Sequence, residues 1–240
     1  MELKDVNLGA GKIQKAYIGT TLVIGAEEPP TTWGRAIIDY ATFSEQGLAE
    51  GTVTKNADGD FTFTPPVGVT EFQVCAVGGG GGGARSGYTG NVENGGGGYA
   101  GEYLATVGEI TSPLSMSIGT GAIVQGTLHA SGLSGNPTIV GGTELLGGSG
   151  GINNSSSYGG DGGEFTSPCG TYRDGYLYAG SGFDGIFYGG QASALGHGGG
   201  GSNNPTLDGV AGSGGGGTAS GAHLPGAGGD GRVVIYWEIV

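Results

Sequence analysis

Phe61 to Gly83 reads FTFTPPVGVTEFQVCAVGGGGGG, and this stretch decides the fold. Phe61 and Phe63 alternate with Thr62 and Thr64, the period of a strand with one wet face. Pro65-Pro66-Val67-Gly68 punctuates it as a turn. Val69 to Val77 follows as a second, strongly apolar strand, the central one of the domain, and runs directly into six consecutive glycines. Downstream the same theme recurs: short apolar segments at Tyr99–Val107, Leu114–Ile118, Ile123–Leu128 and Thr138–Val140 alternate with glycine tracts. The chain ends on Arg232–Val240, entered through Gly228-Gly229-Asp230-Gly231. Upstream, Arg35–Phe43 reads as one strand, and Gly51–Thr54 pairs with Phe61–Thr64 across Asn56-Ala57-Asp58-Gly59, an Asp-Gly hairpin signal. No amphipathic helix period is found. Regular short strands with turn signals predict an all-β fold, a β-sandwich or jelly-roll-like scaffold.

Glycine supplies 61 of 240 residues and proline nine, a composition that ordinarily signals low complexity. The charged fraction of 12% is too low for a solvated disordered chain, and the apolar residues are gathered in strand-length runs. Ordering a glycine backbone costs about 1–2 kcal/mol or more per residue. Backbone hydrogen bonds return about 0.5–1.5 kcal/mol each. The tracts therefore order only if strands hold both ends and the backbones approach closely, as in packed polyproline II segments with three residues per turn. No Gly-X-Y period is present, which excludes collagen.

Net charge is −13, which opposes nucleic acid and an anionic membrane surface. No run approaches 18 apolar residues, so no membrane insertion by a helix is expected. The first residues lack a basic segment followed by an apolar one, so no signal peptide is read and synthesis in the cytoplasm is expected. Cys75 sits in Val74-Cys75-Ala76-Val77 and reads as a buried free thiol. A Cys75–Cys169 disulfide is the alternative, which spacing alone does not support.

Residues 1–28 form a small β unit, with Leu3–Leu8 as one strand and Ile13–Ile18 and Thr21–Ile24 as a hairpin around Gly19-Thr20. Alone it is too small to be stable. Half of the eight basic residues (Lys4, Lys12, Lys15, Arg35) fall ahead of residue 36. Residues 29–59 hold a Pro-Pro linker and the first strands, and 60–240 the glycine-rich β domain.

The motifs with catalytic overtones are weak. Gly147-Gly148-Ser149-Gly150-Gly151 satisfies G-x-S-x-G but has no helix to follow it. Gly9-Ala10-Gly11-Lys12 lacks the spacing of a phosphate loop. Residues 179–186 match a calcium nonapeptide in all but the first position, without a tandem copy. Asp161, Asp174, Asp184, Asp208 and Asp230 are best read as turn residues. His129, His197 and His223 have no metal-ligand spacing. Asn153 and Asn154 open N-x-S sequons but read as plain polar loop residues. No catalytic residue, cofactor or metal is assigned, and no enzyme is expected. The most informative feature is the aromatic cluster Tyr172, Tyr176, Tyr178, Phe183, Phe187 and Tyr188, built on the repeat Asp174-Gly175-Tyr176-Leu177-Tyr178 and Asp184-Gly185-Ile186-Phe187-Tyr188. These rings either cap the glycine layer or core, or form a recognition surface of Tyr beside Gly, Ser and Asn, or an oligomer contact.

Three landmarks together resemble the glycine-rich domain of bacteriophage tail and tail-fibre proteins: Phe61–Thr70, Gly95–Tyr103 and Gly229–Ile235. The segment Gln14-Lys15-Ala16-Tyr17-Ile18-Gly19-Thr20 resembles the N-terminal segments of phage tail proteins. The resemblance implies a virion protein, a receptor-binding adhesin of the fibre or baseplate. It would attach to other tail or fibre proteins through Lys12, Lys15 and Tyr17. It would recognise a host surface glycan or outer-membrane protein through the aromatic cluster, and it implies a homotrimer. A structural tail component without receptor contact is the alternative.

Overall fold

A computed structural model describes residues 16–18, 21–24, 33–47, 52–69, 71–85, 94–95, 101, 103–154, 208–209, 211–218 and 224–238. The fold is all-β. A short hairpin, β1 (Ala16–Ile18) and β2 (Thr21–Ile24), pairs antiparallel with Ile18 opposite Thr21, as the N-terminal sequence predicts.

The body consists of two five-stranded antiparallel sheets. The first has the order β4 (Phe43–Gly47), β3 (Trp33–Asp39), β14 (Arg232–Glu238), β7 (Glu71–Val77), β9 (Tyr103–Glu109). The second has the order β12 (Thr143–Leu145), β11 (Thr138–Val140), β10 (Leu114–Ser117), β6 (Asp60–Phe63), β5 (Val53–Ala57). Two further short strands, β8 (Asn94–Gly95) and β13 (Asn153–Asn154), pair only with each other.

Alternation places Ala36, Ile38, Phe72, Val74, Ala76, Val233, Ile235 and Trp237 on the inner face of the first sheet. There they pack against Val53, Phe61, Phe63, Met116 and Val140 of the second. Phe63 meets Phe72 edge-on at 5.5 Å between ring centroids, and Trp237 closes the cluster at 5.5 Å from Phe63. This is a β-sandwich core, with aromatic pairs in the offset geometries that their quadrupoles favour.

The Asp-Gly hairpin forms as the sequence predicts. β5 and β6 are joined through Asp58-Gly59, with Gly59 at φ +81°, the left-handed conformation such a turn requires. Pro66-Val67-Gly68-Val69 is a turn closed by the Val69 amide on the Pro66 carbonyl at 3.2 Å, with Gly68 at φ +83°, as a type II turn demands at its third residue.

Two expectations are corrected. Arg35–Phe43 is not one strand: β3 ends at Asp39 and the chain turns through 40–42, with the Asp39 amide donating to the Thr42 carbonyl, before β4 begins. Asp39 is also held by Arg232 Nε at 2.6 Å. Ile123–Leu128 is not a strand either; it lies in the glycine region and exposes its apolar side chains. The strands β3, β4 and β5, which the sequence places ahead of residue 60, are members of the two sheets.

The six-glycine run leaves β7 as an extended segment, residues 78–85. Its hydrogen bonds have a period of three. The amides of Gly79, Gly82 and Arg85 donate to Asn136, Leu133 and Ala130 of one neighbour. Those of Gly80 and Gly83 donate to Gly229 and Gly226 of a second. The carbonyls of Gly79 and Gly82 accept from Gly148 and Gly151 of a third, while Ala122, Gly215 and Thr218 donate to Gly80, Gly81 and Ala84 from two more. Same-side contacts every third residue are the signature of polyproline II, at about 3.1 Å rise per residue. Residues 78–85 thus form the axis of a bundle about 20 Å long, with five neighbouring segments.

At most of the axial glycines the contacts leave no room for a side chain. A Cβ on Gly80 would overlap the Ser213 carbonyl, one on Gly81 the Ser149 carbonyl, and one on Gly83 the Gly216 carbonyl. Most of the segments are continuous with a sheet strand at one end: 78–85 with β7, 118–124 with β10, 130–137 with β11, 146–151 with β12 and 226–231 with β14. From the sequence, strands are expected at both ends of each tract. Instead the sandwich holds one end, and segments 118–124 and 130–137 are joined at the other by the loop 125–129.

Candidate functional site

The domain has a direction. β14 runs antiparallel to both β3 and β7, with Arg232 opposite Asp39 and Val77, and Glu238 opposite Trp33. The bundle leaves from the Asp39–Val77–Arg232 end. The start of β3 and the end of β14 lie at the other end of the sandwich, as does the turn at Val67. The bundle therefore extends from the end of the sandwich opposite the start of β3 and the end of β14.

The tip of the bundle is built around Gly82–Arg85. Arg85 bridges to Ala130 and to Thr218. Its guanidinium Nη1 donates to the Gly126 carbonyl and ties down the loop. His129, at φ +56°, turns the chain back into 130–137. The Ser131 hydroxyl accepts from the Asn153 amide at 3.2 Å.

From this frame six large apolar side chains project into solvent: Ile123 (73% exposed), Val124, Leu128, Leu133, Ile152 and Leu224. Each lies beside a bundle contact. The Leu133 carbonyl takes the Gly82 amide, Ile152 follows Gly151, which donates to Gly82, and Leu224 precedes Gly226, which accepts from Gly83. The bundle core has no room for any of them, because neighbouring backbones touch. Exposed apolar groups on this part of the domain are candidates for an interaction surface.

Sequence reasoning missed this set. Ile123–Leu128 carries the composition of a strand, and Ile152 and Leu224 stand alone, outside any apolar run. A signal was available at Leu133 and Ile152: each directly follows a glycine, outside any strand run, and has no core to enter.

Among the sequence-predicted site residues, Tyr17 lies in β1 opposite Leu22. Lys12, Lys15, Tyr172, Tyr176, Tyr178, Phe183, Phe187 and Tyr188 lie outside the described residues, as do Cys169, His197 and His223. Asp208 and Asp230 serve the bundle directly. Asp208 Oδ1 accepts from the Ala227 amide at 2.7 Å, and Asp230 Oδ1 from the Gly121 amide at 2.8 Å. Residues 147–151 are a bundle segment, with the Gly148 and Gly151 amides donating to the axis, so the G-x-S-x-G match is packing. Among the described residues no group of three or more His, Cys, Asp or Glu is placed to hold a metal.

Cys75 differs from expectation. It is disulfide-bonded, not a free thiol. It lies on the outer face of the first sheet and is buried there.

No curated protein matches the chain. A family model of the glycine-rich domain matches residues 54–238, from β5 to β14, and so takes in most of the sandwich and every described segment of the bundle. On that match the chain belongs to the glycine-rich domain family.

Proposed function

We propose that this protein is a phage tail-fibre or baseplate component that attaches to other tail proteins through its N-terminal β unit and recognises the host surface through the tip of its glycine bundle. One observation, the distribution of exposed aliphatic residues along the bundle, carries the reading. Exposed aliphatic side chains lie on several bundle segments away from the entry of β3, with Leu128 on the loop that Arg85 ties through Gly126. A module anchored at one end and sticky at the other is the geometry of a display protein.

The aliphatic character of the tip favours an outer-membrane protein over a glycan. Aliphatic groups gain by desolvation against other apolar surface, whereas flat aromatics suit sugar faces. The aromatic cluster at 172–188 is the second candidate contact. Trimeric assembly within the virion accords with the family resemblance of the sequence.

The test uses particles carrying Ile123→Asp with Leu128→Asp. These positions are exposed, so the domain is expected to fold. Intact particles that lose host adsorption support the reading. Unchanged adsorption overturns the tip assignment. Failure of tail assembly with a normally folded domain supports a structural role in its place.

A further inference from the structure

Alternation turns Phe61, Met116 and Val140 of the second sheet into the core and leaves their neighbours on its outer face. Two cross-strand rows result. In one, Asp60 lies opposite Ser117, Ser117 opposite Ile139, and Ile139 opposite Glu144. In the other, Thr54 lies opposite Thr62, and Thr62 opposite Ser115.

Side-chain size shapes this face. β10, the middle strand, contributes two serines, the shortest polar side chains. Ile139 on one side, and Asp60 and Asn56 on the other, carry longer ones. A trough of about 350 Å³ is the result, with Ser115 and Ser117 in its floor and Gly142 of the β11–β12 turn also lining it. Small-molecule sites occupy about 300–1,000 Å³. The four residues of β10 give it a length of about 13 Å.

The lining is hydroxyl, amide and carboxylate. Asn56 Nδ2 donates to the Thr62 hydroxyl at 3.0 Å. Thr62 keeps its own proton to donate, and Asn56 keeps its carbonyl oxygen to accept. Asp60 is exposed, and no donor among the described residues takes its carboxylate. The backbone beneath is already engaged in the ladders of β5, β6, β10 and β11, so an added peptide strand has nothing to pair with here.

Charge narrows the ligand further. No Lys or Arg lines the trough. Lys55, next to Asn56, is held by the Ala41 carbonyl and by Asp58, each at 2.6 Å. An anion in the trough would meet Asp60 without a counter-charge. Asp60 and Glu144 stand three strand spacings apart, about 14 Å, too far to share a cation.

We propose that the trough along β10 binds a short, uncharged saccharide chain, with Asp60 as its principal acceptor. Sugar hydroxyls both donate and accept. They give protons to Asp60 and exchange hydrogen bonds with Thr62, Ser115 and Ser117. The C–H face of a ring lies against Ile139, which is exposed. The site is on the flank of the sandwich, away from the glycine bundle. It goes beyond the host-protein contact proposed for the tip and does not rest on it. Without an exposed aromatic ring in the lining, the dissociation constant is expected near about 1 mM.

The test is an amide-resolved titration of the whole, unaltered protein. The probes are five neutral disaccharides: maltose, cellobiose, lactose, mannobiose and chitobiose, each to about 20 times that concentration. At least one is expected to give saturable shifts at Thr62, Ser115, Ser117 and Ile139, while Gly83 and Thr127 in the bundle stay unmoved. No saturable shift with any of the five, or shifts confined to the bundle, overturns the site. Stronger binding of sialyllactose than of lactose overturns the uncharged class.

Two variants then assign the contacts to the best of these sugars. Asp60→Asn is expected to weaken binding at least five-fold, and Ser117→Leu, which fills the trough, to abolish it. Equal affinity in both overturns the placement, and because the first titration uses the natural chain, the result does not depend on a variant folding. Ile123→Asp with Leu128→Asp is expected to leave the titration unchanged. Failure of the tip reading and failure of this one are therefore told apart.

Discussion

Trp237 lays its indole against Gly34, its partner across the β14–β3 pair: a Cβ on Gly34 would collide with the indole at Cε2, Cζ2 and Nε1. The same indole packs against Phe63 and Phe72 in the centre of the sandwich. A glycine in a central strand is normally a weak point. Here the missing side chain is the space that the largest core residue fills. Gly34→Ala is therefore expected to push Trp237 out of its rotamer and cost about 1–3 kcal/mol, as overpacking does. The transition midpoint in chemical denaturation and the emission maximum of tryptophan would report it. A variant as stable as the parent would show that the ring has room to move.

The bundle axis makes a sharper claim because adjacent glycines differ. At Gly80 and Gly81 an added methyl meets a backbone carbonyl that cannot give way without shifting a whole segment. At Gly82 the nearest atoms are the Ile123 carbonyl oxygen at 3.3 Å and the Ala122 methyl at 3.4 Å, a tight but yielding fit. Gly80→Ala and Gly81→Ala should each cost at least about 1–3 kcal/mol. Gly82→Ala should lie within about 1 kcal/mol of the parent, because lost unfolded-state freedom offsets the small strain. Equal melting temperatures for all three would mean that the bundle is looser than these contacts require.

Thr138 joins the sandwich to the bundle. Its side chain is fully buried, and its hydroxyl accepts from the Gly119 amide at 3.0 Å, where β10 passes into its glycine segment. Thr138→Val keeps the shape but leaves that amide without its acceptor, at a cost of about 1–3 kcal/mol. Thr138→Ser keeps the hydroxyl and loses only a methyl, about 0.8 kcal/mol. Urea titrations of the two should rank Val as the less stable. The reverse order would assign the site to methyl packing.

Much of the sandwich was legible from the sequence because its signals are local. Phe61-Thr62-Phe63-Thr64 alternates, and Asp58-Gly59 and Val67-Gly68 carry the residues that their turns require. The apolar runs Val74–Val77 and Val233–Trp237 do not alternate, and the structure buries both of their faces. The break at Asp39 was not legible, since part of what holds the turn is distant in sequence: Arg232 on the Asp39 carboxylate and the Gly59 amide on the Tyr40 carbonyl. The tip was not legible for a related reason: glycine tracts have no side-chain period to reveal which segments are neighbours. The three-residue periodicity exists only in the pairing between segments, as with Gly79, Gly82 and Arg85 against Asn136, Leu133 and Ala130.

Amide exchange tests how that pairing is held in place. If the sandwich orders the bundle by clamping one end of its segments, opening should begin at the tip and move inward. The Gly79 and Gly80 amides, next to β7 and bonded to Asn136 and Gly229, should exchange at rates set by global unfolding. Those of Gly83 and Arg85, bonded to Gly226 and Ala130 at the far end, should exchange faster, and that of Thr127, exposed in the loop and bonded only to the Gln125 side chain, fastest. Thr138→Val should lower protection at Gly79 and Gly80 along with that of β7, because it weakens the junction itself. Uniform protection from Gly79 to Arg85 would mean that the glycine segments stabilise one another without the sheets. Protection absent throughout would mean that backbone contacts alone, at about 0.5–1.5 kcal/mol per hydrogen bond, do not overcome the entropy of so much glycine.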